Sequence, residues 1–187
     1  MIVKITNEEP LFKWIRSEIS NEDTVLDLGC GICNPIKNIK CKHITGVDIF
    51  EGYRPLAEKI LNEFKVADVT KIDFPDKSFD VILILDLVEH LNYEDAVKLI
   101  EKAEKWAKKK VIVFTPIGFL EQNLKKGLDP WGYPNPAQQH LCGFDKEFFI
   151  QRGYNITEYP GDKAHNKAYT SMYCIKVIKY VNVTGRI

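Results

Sequence analysis

The chain has 187 residues, of which 45% are hydrophobic, as expected for one folded domain with a substantial core. Its 26 basic and 26 acidic residues leave no net positive charge to attract nucleic acid or an anionic membrane. No apolar run approaches the ~20 residues of a membrane helix, and the N-terminal stretch is too short and too acidic for a signal peptide. The sequence therefore predicts a cytoplasmic protein with reduced cysteines, and it leaves a homodimer open.

Helix and strand patterns alternate along the chain. Apolar residues at helical spacing predict helices over residues 8–19, 53–64 and 92–109, and a short helix capped by Asp145 that stops at Gly153. Strand patterns cover residues 24–28, 43–48, 65–69, 79–85 and 110–114, followed by two final strands over 154–159 and 169–180. This order predicts a single α/β domain over residues 1–187, with a doubly wound, mostly parallel seven-stranded sheet and an antiparallel C-terminal hairpin.

The run from Val25 to Cys33 carries the strongest chemical signal. It predicts a buried strand that reaches a carboxylate, Asp27, and then breaks into a turn containing Gly29 and Gly31. Glycine has no Cβ, so a bound cofactor can lie directly against the backbone of such a turn. A dinucleotide would bring a pyrophosphate that Asp27 repels, and no Arg or Lys in the turn offsets this repulsion. The turn therefore favours a positively charged cofactor.

Further acidic residues follow other predicted strands. Asp48, Asp68, Asp86 and Glu89 come at or just after the strands over 43–48, 65–69 and 79–85. In a parallel sheet these positions share the carboxyl edge, where ligands bind. Each acid alone could instead cap a helix or line a turn. Their repetition predicts one acidic rim.

Five motifs resemble those of class I S-adenosylmethionine-dependent methyltransferases. They occur in the family's order and nearly at its spacing, over residues 25–31, 46–49, 67–69, 74–81 and 87–91. The resemblance implies a Rossmann-like methyltransferase fold, S-adenosylmethionine as the cofactor, and methyl transfer to an unidentified acceptor, with a small molecule favoured. The sequence Asp86-Leu87-Val88-Glu89 lacks the Pro-Pro-aromatic motif of enzymes that methylate DNA bases or glutamine.

The resemblance also implies roles for particular residues. It places Asp27 near the ammonium and sulfonium groups of the cofactor, Asp48 on the ribose hydroxyls and Asp68 on the adenine amino group. The full set of implied cofactor contacts is Asp27, Gly29, Cys30, Gly31, Asp48, Ile49, Asp68, Val69, Asp86 and Leu87.

The chain departs from the family pattern in two places. Cys33 stands where the family often has a third glycine, and the short segment before Asp48 leaves only residues 35–40 for the first helix, with Asn34 as its cap.

His90 is the first candidate for a general base and His140 the second, because imidazole changes charge near neutral pH. The resemblance puts His90 opposite the donor methyl group. Alternatively, His90 caps or orients the next helix. Glu89 is expected to face solvent or to partner His90.

The segment over residues 115–144 shows no clear secondary structure, and long segments of this kind are often functional. Its Trp131, Tyr133 and His140 are candidates for acceptor binding in a lid or pocket wall. The alternative is a packed surface loop whose aromatic residues fill the core.

Three other functions stay open. A zinc or redox site at Cys30-X-X-Cys33, with Cys41 and His43, matches no common zinc spacing, so no metal is predicted. The fold would also suit an NAD-dependent oxidoreductase. The shortened first helix and Cys33 would suit a non-catalytic partner subunit that keeps the methyltransferase fold.

Overall fold

An eight-stranded sheet forms the centre of the protein, in a computed structural model that describes residues 3–4, 8–122, 128–160 and 170–179. The sheet order is β1-β7-β8-β6-β5-β2-β3-β4. The strands are β1 (Val3–Lys4), β2 (Thr24–Leu28), β3 (His43–Asp48), β4 (Glu63–Val66), β5 (Phe79–Leu85), β6 (Ala107–Pro116), β7 (Asn155–Pro160) and β8 (Thr170–Val177). Strands β2 to β8 are the seven predicted strands, and the two-residue β1 adds one at the edge.

The strand directions confirm the predicted topology. Strands β2 to β6 pair in parallel, as does β1 with β7, whereas β8 is antiparallel to both β6 and β7. The chain runs outward from β2 through β3 to β4, and then returns to place β5 on the other side of β2. The sheet therefore has its topological switch point between β2 and β5, where α/β sheets bind ligands.

Helices cover both faces of the sheet. They are α1 (Glu8–Ser17), α2 (Arg54–Ala57), α3 (Tyr93–Trp106) and α4 (Lys146–Gln151), with 3-10 turns at Glu51–Tyr53, Val88–His90 and Pro136–Gln138. Asn92 caps α3 and Asp145 caps α4, each through a side-chain oxygen that accepts a backbone N–H at 3.0 Å. The Asp145 cap is as predicted.

The core has two layers, one on each face of the sheet. Strand β5 contributes Ile82 and Ile84 to the layer under α3 and α4, and Val81, Leu83 and Leu85 to the layer under α1 and α2. Because both faces of β5 are covered, the strand is apolar along most of its length rather than alternating. None of the helices in the described part of the chain is long and apolar enough to cross a membrane.

Several predicted boundaries were wrong. Residues 35–40 form no helix: successive turns, held by bonds such as that from Ile36 N to Cys33 O, bury Ile36 in the core instead. The predicted helix over 53–64 shortens to α2 because β4 already begins at Glu63. Helix α3 ends at Trp106, since Ala107 pairs with Phe79 and starts β6.

Candidate active site

Asp27 lies at the switch point with its side chain enclosed by the protein. It is 2% exposed, and its Oδ1 atom accepts no hydrogen bond from the described residues. Burial, and then the nearby charge of Asp48, raise the pKa of Asp27 well above its ordinary value. A buried carboxylate without a partner is costly, so this position fits a ligand that brings positive charge.

The turn after Asp27 passes close to the neighbouring strands. Gly29 and Gly31 both have positive φ angles, of 68° and 52°, and Gly29 N donates to Val47 O at 2.8 Å. A Cβ on Gly29 would come within 2.7 Å of Leu87 Cδ1. Cys33 has a φ of 61°, a left-handed conformation that favours glycine, which gives the family's third glycine a physical reason.

Asp48 holds this turn against the end of β3. Its Oδ2 accepts from Gly31 N at 2.8 Å, and its Oδ1 accepts from Phe50 N at 2.9 Å. Burial raises the pKa of Asp48, and these backbone hydrogen bonds oppose the increase. The contact with Gly31 N fixes the turn before any ligand binds, a structural role that the motif alone did not indicate.

Asp68 lies two residues beyond β4, not at a strand end as predicted. Its Oδ1 accepts from Thr70 N and Thr70 Oγ1 at 3.0 and 2.7 Å, and Lys71 Nζ lies 2.9 Å from its Oδ2. Partial burial favours the neutral acid, but Lys71 and Thr70 together lower the pKa of Asp68 below its ordinary value. Asp68 is therefore favoured in its ionised form, which accepts hydrogen bonds.

Two adjoining cavities open along this rim. Both cavities are lined by Gly29, Asp86 and Gln138. All ten residues implied as cofactor contacts line one or both cavities. Asp27, Cys30 and Gly31 line the second alone, and Asp48, Ile49, Asp68, Val69 and Leu87 line the first alone.

The loop over residues 128–140 forms the outer wall of the cavities. Asp129 organises it: the side chain accepts from Tyr53 Oη and from the backbone N–H groups of Trp131 and Tyr133, the latter two at 2.9 and 2.8 Å. Asn135 Nδ2 donates to Tyr53 Oη at 2.9 Å. Sequence reasoning missed Asp129 and Asn135, because nothing in their local pattern marks them as buried.

The three candidates for acceptor binding lie in different environments. Trp131 lines the second cavity and is partly exposed. Tyr133 lines neither cavity and packs edge-on against Tyr53, with ring centroids 5.3 Å apart. His140 is 3% exposed, and its Nδ1 lies 2.8 Å from Leu120 O. The loop is thus partly a cavity wall and partly packed core.

Glu89, His90 and His140 meet beside the first cavity, which His90 lines. Of the two expectations for Glu89, exposure to solvent was wrong, since the residue is 2% exposed and its Oε2 accepts from Thr115 Oγ1 at 3.0 Å. The alternative, proximity to His90, agrees with ligand atoms within 4.8 Å of each other. The rings of His90 and His140 lie 4.7 Å apart. Since Asn92 caps α3, His90 is not its cap.

Cys30 and Cys33 are packed inside the turn that follows Asp27. Cys30 and Cys33 are both buried, and their interaction, together with burial, raises the pKa of Cys30 far above its ordinary value. A thiol held neutral is a poor nucleophile and a poor metal ligand. This environment supports the view that these are small side chains in a tight turn.

Comparison with known proteins supports the same class as the motifs. Residues 26–115, just under half of the chain, match a family model described as a methyltransferase domain. The chain is 30% identical over 99 residues to phosphoethanolamine N-methyltransferase of Plasmodium falciparum, covering 49% of this chain and 37% of that protein. It is 37% identical over 93 residues to phosphoethanolamine N-methyltransferase 1 of Zea mays, covering 45% and 18%.

A solved structure shows the same fold over most of the chain. Coclaurine N-methyltransferase, bound to N-methylheliamine and S-adenosylhomocysteine, has a TM-score of 0.66 at 15% identity and covers 90% of this chain and 72% of that one.

The fold is therefore that of a Rossmann-like class I methyltransferase, as the motifs predicted. The match to the methyltransferase-domain model is limited to residues 26–115, and the chain spans well under half the length of the two curated relatives compared.

Proposed function

We propose that this protein transfers a methyl group from S-adenosylmethionine to a small molecule, with an amine nitrogen as the acceptor. The observation that carries the proposal is the buried carboxylate of Asp27, whose Oδ1 has no hydrogen-bond partner among the described residues, beside a turn with two left-handed glycines. The similarity to N-methyltransferases of phosphoethanolamine supports nitrogen as the acceptor atom.

The rim residues fit the parts of S-adenosylmethionine. When bound, it supplies an electrophilic methyl group on a sulfonium. Asp27 offsets the positive charge at the methionine end, and the bare turn at Gly29 permits close approach. Each Asp48 oxygen accepts one backbone hydrogen bond and retains a lone pair for a ribose hydroxyl. Asp68 accepts the adenine amino group at the other end of the first cavity.

The acceptor side provides positioning and proton removal. Trp131 and the loop over 128–140 exclude water and hold the acceptor in line with the carbon–sulfur bond. The nitrogen lone pair forms the new bond to the methyl carbon as the carbon–sulfur bond breaks. Because an ammonium has no lone pair, its proton must leave first, and His90 is the group that lines the cavity and can receive it.

A pair of titrations tests this function. Calorimetry with S-adenosylhomocysteine is expected to show binding, and the same experiment with NADH is expected to show none. Binding of NADH without S-adenosylhomocysteine would support the oxidoreductase instead. Binding of neither at millimolar concentration would support the non-catalytic subunit. A screen of small amines with isotopically labelled donor then identifies the acceptor.

Other expectations from the sequence stay predictions. These are the single domain over residues 1–187, the homodimer, the cytoplasmic location and the preference against nucleic acid.

A further inference from the structure

The Glu89–His90–His140 cluster has the composition of a metal centre. Its three side chains each offer one ligand atom, and these atoms all lie within 4.8 Å of one another. We propose that this cluster binds a divalent transition-metal ion, with Zn²⁺ the best match, at the acceptor side of the first cavity. The sequence predicted no metal, because Glu89 and His90 meet His140 only in the folded protein.

Hydrogen bonds hold each ligand in a suitable orientation. His140 Nδ1 lies 2.8 Å from Leu120 O, and His90 Nδ1 lies 3.3 Å from Gln139 O. A carbonyl can only accept, so each Nδ1 carries a proton, and in the neutral ring each Nε2 is the atom that can bind a metal. Thr115 Oγ1 donates to Glu89 Oε2 at 3.0 Å. Outer partners of this kind are typical of metal-binding histidines and carboxylates.

The backbone also fixes the two halves of the cluster together. Glu89 O accepts hydrogen bonds from Leu141 N at 2.7 Å and from Cys142 N at 3.2 Å, directly after His140 in the chain. The 3-10 turn that carries Glu89 and His90 is thereby attached to the segment that carries His140. The ligand positions are built into the fold, so the ion needs only a small closure of the side chains.

The ligand types select the kind of ion. Two imidazoles and one carboxylate are a common Zn²⁺ set, and three protein ligands leave a coordination position for water or substrate. Mg²⁺ and Ca²⁺ prefer oxygen ligands throughout, so this nitrogen-rich set disfavours them. The Glu89 carboxylate is 2% exposed, and buried carboxylates in proteins are paired or bind metal ions.

The role of the ion, unlike the site itself, rests on the proposed methyl transfer. His90 borders the first cavity together with Asp86 and Leu87, so an ion on its Nε2 would lie at the cavity wall. Its open position would hold an oxygen or nitrogen of the acceptor and fix the acceptor relative to the donor methyl group. This predicts an acceptor with a second electron-pair donor near the methylated atom. With the ion bound, His90 Nε2 is occupied, so the metal-bound form would use an acceptor whose nitrogen is already neutral, and His90 would take up a proton only in the metal-free form.

Metal binding is measured directly on the purified protein. Zn²⁺ is titrated in competition with a chromophoric chelator, and Co²⁺ is added to the metal-free protein for absorption spectroscopy. We expect one bound Zn²⁺ and a Co²⁺ spectrum with visible ligand-field bands but without thiolate charge-transfer absorption. Glu89→Gln and His140→Gln are each expected to weaken Zn²⁺ binding at least tenfold. His43 is exposed and lies at the first position of β3, the end opposite Asp48. His43→Gln should therefore leave the Zn²⁺ affinity unchanged.

Thr115→Val keeps all three ligands and removes only the hydroxyl that orients Glu89. Loss of such an outer partner typically costs about 10–100-fold in metal affinity, and we expect a loss in this range. This variant tests the proposal even if Glu89→Gln does not fold.

The proposal is overturned if the wild-type protein takes no Zn²⁺ from the chelator. Unchanged affinity in the Glu89, His140 and Thr115 variants, or a thiolate band in the Co²⁺ spectrum, would also overturn it. S-adenosylhomocysteine is titrated into the same samples. If S-adenosylhomocysteine binds but Zn²⁺ does not, only the metal site is ruled out. If Zn²⁺ binds but S-adenosylhomocysteine does not, only the methyl-transfer proposal is ruled out.

Discussion

Acidic side chains near the amino ends of the strands have different partners from those near the carboxyl ends. At the amino end of the strands, Lys109 Nζ lies 2.6 Å from Asp23 and 3.2 Å from Asp80, and Lys110 Nζ lies 2.7 Å from Glu18. At the carboxyl end, Asp27 and Asp48 contact no Lys or Arg side chain of the described residues. The acids at the amino end thus have counterions in the chain, whereas at the carboxyl end Asp68 pairs with Lys71 but Asp27 and Asp48 have no such partner among the described residues.

The pKa values follow this difference. The pKa of Asp80 is lowered despite partial burial, because Thr24 and Lys109 stabilise its charge. The pKa of Asp27 is raised, because burial dominates and its nearest charged neighbour is another acid. The comparison indicates that the paired acids at the amino end contribute to stability, whereas ionisation of the buried Asp27 costs stability in the ligand-free protein.

The largest expected effect comes from Asp48→Ala. This change removes the acceptors for both ribose hydroxyls and releases Gly31 N from the carboxylate. Hydrogen bonds to charged groups contribute about 1.5–3 kcal/mol each, so two of them predict at least about a hundredfold loss of S-adenosylhomocysteine affinity by calorimetry. Asp80→Ala at the opposite end is the control and should leave this affinity unchanged. Equal affinity in wild type and Asp48→Ala would show that the ribose lies elsewhere.

Asp27→Asn should separate stability from binding. The variant keeps the shape of the side chain and removes a charge that the empty site does not compensate. We expect S-adenosylmethionine to bind at least about tenfold more weakly, a loss of about 1.4 kcal/mol. We also expect a higher melting temperature for the ligand-free protein at neutral pH. A lower melting temperature together with unchanged affinity would contradict the comparison of the two ends.

The raised pKa of Asp27 predicts a pH dependence with opposite signs for binding and stability. In the ligand-free protein, the contribution of Asp27 to stability is present at low pH and is lost as the pH rises through its raised pKa. Binding of the cationic donor needs the ionised form, so affinity should increase over the same interval. Calorimetry and denaturant unfolding, carried from the ordinary carboxyl range upward in pH, measure both trends. The pH dependence of affinity and that of stability should both become weaker in Asp27→Asn. An unchanged pH profile in that variant would assign the dependence to another group.

The smallest expected effect is that of Lys109→Met at the amino end. The Lys109 side chain is 52% exposed, so solvent screens its pairing with Asp23 and Asp80. Such pairs contribute about 1 kcal/mol or less, and the free energy of unfolding should fall by about that amount. Because the pKa of Asp80 is lowered in the folded protein, the deficit should disappear as the pH falls through that value. A change in S-adenosylhomocysteine affinity would show that the two ends are not independent.

Local patterns in the sequence mark residues that line the two cavities. The turn at Gly29 and Gly31, and the acids that follow β2 to β5, are each encoded within a few residues of a strand end. All ten implied cofactor contacts accordingly line the two cavities. Even there, the prediction of a helix over residues 35–40 was wrong, because the segment forms turns that bury Ile36 in the core.

The acceptor side could not be predicted in the same way. Asp129 bonds to Tyr53, and Glu89 lies beside His140, through contacts between residues far apart in the chain. Asp129 and Glu89 belong to no periodic pattern or turn motif that would mark them as buried. Their environment is set by how the segment over 128–142 packs against the 3-10 turns that carry Tyr53 and Glu89, and this depends on packing of the whole domain.

A crystal structure of the wild-type protein with S-adenosylhomocysteine tests the central claim most directly. The account predicts the amino group of its methionine part within reach of Asp27, directly or through one water, and its ribose hydroxyls on Asp48. A ligand that leaves both carboxylates untouched, or a pyrophosphate-containing nucleotide bound against the turn at Gly29 and Gly31, would contradict it.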